Sequence, residues 1–99
     1  MATKFKDFLR EIEEGAEAEG REAVEQLKTF RALFRLGRQL AQARRRVHLS
    51  QKQIARRADI DPSEVSNMER GVANPTFNTL HAVVSAVGLE ITLTKARRT

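Results

Sequence analysis

A chain of 99 residues has room for one compact helical domain and a short extension, and a second independent core would be too small to stand alone. Hydrophobic residues make up 40% and charged residues 31%, with five Phe and no Trp or Tyr, so the core must be mostly aliphatic; no run is apolar enough to cross a bilayer, and the absence of Cys excludes disulfides and thiolate metal sites. The net charge of +5 is unevenly placed, with five Lys/Arg against eight Asp/Glu in residues 1–30 and thirteen against five in residues 31–99, a basic body that points to nucleic acid before an anionic membrane surface.

Phe5, Phe8, Leu9 and Ile12 follow the i, i+3, i+4, i+7 spacing that puts all four on one face of a short amphipathic helix. Gly15-Ala-Glu-Ala-Glu-Gly20 follows, and its two glycines and small or acidic residues read as a flexible joint. The helical period returns from about Arg21 to Val47, with Val24, Leu27, Phe30 and Phe34 on one stripe and Leu33, Leu36, Leu40, Ala43 and Val47 on a rotated one. That rotation fits two helices meeting near Thr29, or one long helix with different partners along its length.

Ser50-Gln-Lys-Gln53 has the form of a capping box and starts a helix running to about Arg57. Asp61-Pro62-Ser63-Glu64 starts another, with Asp as N-cap, Pro where no amide donor is needed, and Glu facing the positive end of the helix dipole. Gly71 stops it. Asn74-Pro75-Thr76 leads into a helix that carries Phe77, Leu80, Val83, Val84 and Val87 inward and ends at Gly88. Leu89, Ile91 and Leu93 alternate with Glu90, Thr92 and Thr94, which predicts a short strand before a basic tail.

Two short helices joined through Ala58-Asp59-Ile60 pack steeply only if the junction is small or apolar in a fixed order. Ala55 supplies the small residue, and Ile54, Ala58, Ile60, Val65 and Met68 supply the shared core. Asp61, Ser63, Ser66, Asn67 and Arg70 then face outward, short or amide-bearing groups suited to base edges and phosphates.

Leu49-Ser-Gln-Lys-Gln-Ile-Ala55, Val65-Ser-Asn-Met-Glu-Arg-Gly71, Ala73-Asn-Pro75 and residues 80–88 together resemble the Cro/cI-type (XRE) helix-turn-helix family, over roughly residues 33–88. Asp59 stands where that family usually has a turn glycine, and Asp tolerates left-handed backbone better than most residues. The resemblance implies an all-α fold: an acidic helical extension over residues 1–30, a five-helix-type helix-turn-helix DNA-binding domain over residues 31–88, and a C-terminal strand with a basic tail over residues 89–99. It implies phosphate contacts from Gln51, Arg70 and Asn74, base-edge contacts from Ser63, Ser66 and Asn67, and a structural pair between Arg44 and Glu69. Asn67 is the first candidate for direct readout, because its amide can pair bidentately with adenine. Arg45, Arg46, Arg56 and Arg57 read as a solvated charged face with no assigned contact.

The opening Phe5-Lys-Asp-Phe-Leu9, the acidic joint and a strand after the last helix are also similar in arrangement to antitoxins of the HigA group. That resemblance implies a homodimer that represses its own operon on double-stranded operator DNA and neutralises a small basic ribonuclease toxin. The other reading is a stand-alone regulator, phage-type or of the wider family, with residues 1–14 docked on its own core or dimer partner. An enzyme would need a catalytic constellation, and no Ser-His-Asp grouping, Gly-rich phosphate loop or clustered His is present, so neither cofactor nor metal is expected. The N-terminus opens with mixed charge instead of a basic stretch leading into an apolar one, so the expected compartment is the cytoplasm.

Overall fold

The computed structural model describes residues 2–97, with side-chain surroundings for all of these except residues 2–5 and 16–19. Phe5, placed on the first helical face by its spacing, lies outside the described side chains, as does the end of the tail at residues 98–99. Five α-helices follow in chain order: α1 (Ala2–Glu19), α2 (Arg21–Arg46), α3 (Gln51–Ala58), α4 (Pro62–Glu69) and α5 (Phe77–Ala86).

The two glycines of the first joint do not act alike. α1 runs through Gly15, and the break is confined to Gly20, whose φ of 121° suits no other residue well. Ala and Glu between them are good helix formers and offset the cost of Gly15, about 1 kcal/mol. A helical hairpin results, not a loose joint. α1 lies against the first part of α2 and Leu27 is buried there, apart from the main core, while Leu36, Leu40 and Ala43 of the second part join α3, α4 and α5. One helix with two sets of neighbours therefore accounts for the rotated stripe. At 1.5 Å per residue its 26 residues span about 39 Å, most of the 44 Å long axis of the molecule.

The core gathers Leu40, Ile54, Ala55, Val65, Met68, Val83, Val84 and Val87, with Ile54 fully buried. Caps place the helices around it. Gln53 N donates to Ser50 Oγ (3.1 Å) and Ser50 N to Gln53 Oε1 (2.8 Å), completing the capping box of α3. Ser63 N donates to Asp61 Oδ1 (2.8 Å) at the start of α4, and Thr79 N to Thr76 Oγ1 (3.2 Å) at the start of α5.

The predicted C-terminal strand is absent among the described residues. Residues 89–97 are exposed and carry no ladder, because a strand needs a neighbour to hydrogen-bond and the chain offers only helices. Alternation here reports a segment with one side toward the groove between α2 and α5, where Leu89 and Ile91 lie, and Leu93 is 96% exposed.

Candidate nucleic-acid interface

The α3–α4 junction is built as a steep crossing. Ala55 is 1% exposed at the approach of the two helices, against Val65 and Met68 of α4 at 1% and 4%. Asp59 ends α3 at φ 56° and ψ 48°, the left-handed conformation a glycine would adopt without strain. α4 also lies close on α2. A Cβ on Gly37 would stand 2.6 Å from the Glu69 carbonyl oxygen, and one on Gly71, at φ 75°, would stand 2.6 Å from the Phe34 Cα. Neither position admits a side chain without moving α4 or the turn after it.

With Val65 and Met68 turned inward, Ser63, Ser66, Asn67 and Arg70, spaced i, i+3, i+4 and i+7, share the opposite, outward side of α4 and its C-cap. Ser63 and Arg70 are exposed and Ser66 and Asn67 half-buried at the flanks of that side. Ser63 Oγ donates to Asp61 Oδ1 at 2.8 Å, so this hydroxyl already has an acceptor in the free protein. Gln51, half-buried at the first position of α3, donates from Nε2 to Glu69 Oε1 at 3.1 Å, which sets α3 beside the end of α4. Asn74 stands exposed on the loop that leaves α4.

Glu69 is the hub of this surface. Arg44 donates to it from Nε (2.6 Å) and Nη2 (2.9 Å), and from Nη1 to the Leu49 carbonyl (3.0 Å), so one guanidinium ties α2 to the lead into α3 and to α4. Burial pushes the Glu69 carboxyl upward, but hydrogen bonds from Arg44 and Gln51 and the charges of Arg44 and Arg45 outweigh it, and the group sits below the ordinary carboxylate value. The bond to Glu69 raises Arg44 above the usual guanidinium value. The amide and hydroxyl of Ser63 hold Asp61 below the carboxylate range.

A search of curated proteins finds no match, whereas the helix-turn-helix domain family matches residues 35–96, from the second part of α2 through α5 and onto the C-terminal segment. The chain belongs to the helix-turn-helix domain family. It is a sequence-specific DNA-binding transcriptional regulator of the Cro/cI type, in a family that does no catalysis. Among solved structures it is similar to the restriction-modification controller protein C.AhdI from Aeromonas hydrophila, at 29% identity and a TM-score of 0.58 over 60% of this chain and 89% of that one. α1 and the first part of α2 fall outside the family match.

Two features of this helix-turn-helix surface escape a reading of residues alone. Arg45 is exposed and its charge reaches Glu69, so it belongs to the same end of the motif as Gln51 and Arg70; in sequence it is one of three consecutive arginines and nothing marks it out. The engagement of the Gln51 amide by Glu69 joins residues 18 apart in the chain, a proximity only the fold supplies. Among the described residues no group of three His, Asp or Glu could hold a metal ion, and no helix is long and apolar enough to cross a membrane.

Proposed function

We propose that the protein is a stand-alone regulator that binds two-fold operator DNA as a homodimer, with α4 in the major groove. The polar side of α4 carries this reading: Ser63, Ser66 and Asn67 are presented together, backed by buried Val65 and Met68. Gln51, Arg70 and Asn74 meet phosphates around them, joined by Arg45. The Arg44–Glu69 pair sets the angle at which α4 is presented. One module this small covers few base pairs, and a two-fold pair doubles the sequence read. Similarity to a restriction-modification controller supports a regulatory role. Selection of duplexes from a random pool, followed by footprinting, should return one site with two related half-sites; binding without sequence preference would defeat the proposal.

A second reading, an antitoxin that captures a small basic toxin, is favoured by the hairpin. Residues 11–25 hold seven Glu against one Arg, and Phe8, Ile12 and Phe30 are 52%, 37% and 40% exposed on its two helices. Acidic groups around apolar ones suit a basic protein surface and repel DNA. Co-expression with the neighbouring gene tests this: a small basic protein should co-purify and be lost in a Glu11→Lys, Glu14→Lys variant that still binds DNA. Retention of operator binding with no such partner leaves the stand-alone reading.

A further inference from the structure

Beside the DNA-facing surface, the molecule carries a separate apolar face. Leu36 and Leu40 of α2 and Leu80 and Val84 of α5 form the walls of a groove of about 250 Å³, and Leu89 and Ile91 of the C-terminal segment lie along its edge. Leu89 is 53% and Ile91 39% exposed, and the next apolar residue of the alternation, Leu93, is 96% exposed. Three apolar side chains in a stretch of five residues, next to an open apolar groove, form a contiguous patch of the kind that marks an interaction surface.

We propose that this face takes a second copy of the same chain across a two-fold axis, with Leu93 of each copy anchored against the α2–α5 groove of the other. The inference rests on the dimeric reading and assigns its seam. Charge selects the occupant. Glu90 lies at one end of the segment and Lys95 and Arg97 at the other, so antiparallel apposition of two copies sets each Glu90 toward the partner's basic end, whereas parallel apposition would join like charges. The other two large surfaces do not suit self-association. Hairpins meeting across a two-fold would bring together two tips of seven Glu and one Arg each, and the side of α4 with Ser63, Ser66, Asn67 and Arg70 must stay open for DNA. A self-complementary patch with its own charge pairing is what an isologous contact requires. The segment alone is short of the roughly 800 Å² per partner of a stable interface. The groove walls supply the remainder, so segment and groove act as one face.

The test is sedimentation equilibrium of the full chain at micromolar concentration, for the parent, Leu93→Asp and Val47→Asp. Leu93 is almost wholly exposed within its own chain, so Leu93→Asp leaves the fold and its helical circular dichroism unchanged. Val47 is 46% exposed outside this face, in the groove with Leu49 and Arg57, and controls for a surface charge as such. The expected result is a dimeric parent, a dimeric Val47→Asp, and a Leu93→Asp protein whose dimer dissociation constant rises by about a hundredfold or more, because the lesion occurs twice per interface. A dimeric Leu93→Asp protein with the parent's constant would overturn this seam and leave the dimeric reading intact. Loss of the dimer in Val47→Asp would move the contact to the other groove and likewise overturn it. A monomeric parent would remove both the seam and the dimeric reading, without touching DNA binding by α4.

Discussion

The guanidinium of Arg44 in α2 meets the carboxylate of Glu69, the last residue of α4, through two hydrogen bonds of 2.6 and 2.9 Å, with only 14% and 8% of the two side chains exposed. The pair lies at the junction of three helices, because Gln51 of α3 donates to the same carboxylate. Arg44→Met leaves that carboxylate desolvated with one neutral donor, and breaking such a pair from one side should cost about 2–4 kcal/mol at neutral pH. Urea denaturation measures this. DNA affinity of the folded fraction should fall as well, since α4 loses its tie to α2.

The same pair sets a pH dependence. Glu69 is held below its ordinary value of 4.5, so its contribution to stability is fully present above that pH and is lost as pH falls through the lowered folded value. Asp61 is shifted in the same direction and adds to the same acid window. Glu69→Gln removes only the first contribution. Parent and variant should therefore differ most at neutral pH and converge as the medium becomes acidic below about 4.5; a stability gap that stayed constant across this range would show that the ionised carboxylate is not what the pair relies on.

Two helical glycines should respond to alanine with opposite signs. Gly15 in α1 has open space around it, and Gly15→Ala should stabilise the protein by about 0.5–1 kcal/mol through helix propensity. Gly37 in α2 faces the carbonyls at the end of α4, and a Cβ there would sit 2.6 Å from the Glu69 oxygen. Gly37→Ala should lose about 1–3 kcal/mol by overpacking despite the same propensity gain. Melting curves of both variants decide this, and a stabilising Gly37→Ala would mean that α4 moves off α2 freely.

Asp59 supplies a third stability change. It occupies left-handed backbone at φ 56°, which an L-residue adopts at a cost, so Asp59→Gly should raise stability by about 0.5–1 kcal/mol after the entropy of glycine is counted. Its exposed side chain makes the comparison clean. No gain would mean that the Asp side chain contributes to the turn more than its backbone strain costs.

The local signals were legible in the residues because each depends on a few neighbours in the chain. Ser50 with Gln53, Asp61 before Pro62 and Thr76 after Pro75 start their helices where capping chemistry predicts, and Asp59 takes the glycine conformation that the family resemblance demanded. What sequence could not reveal depends on long-range neighbours. Alternation in residues 89–94 marks which side chains lean on α2 and α5 but cannot create the second strand that a ladder needs. The two stripes of residues 21–47 left one helix or two open until α1 was seen to cover the first and the core the second. Gln51 was expected on phosphate, yet its amide is oriented by Glu69, so a loss at this position combines binding with the geometry of the motif.

That coupling makes Asn67 and Arg70, not Gln51, the pair that separates reading from holding. Asn67 lies on the outward flank of α4 one turn after Ser63, and its amide has the donor and acceptor that a bidentate contact with adenine requires. Asn67→Ala should cost about 1–3 kcal/mol on the selected operator and relax preference at one base position in each half-site. Arg70 is exposed at the C-cap of α4, where a guanidinium meets phosphate and carries no direct base information. Arg70→Ala should weaken operator and scrambled duplex by similar factors and make the salt dependence shallower by about one ion per site. Titrations of both duplexes at several salt concentrations give the two slopes and the two ratios. If Asn67→Ala bound the operator as tightly and as selectively as the parent, the reading residue would lie elsewhere on the same side, with Ser66 next because the Ser63 hydroxyl already bonds to Asp61.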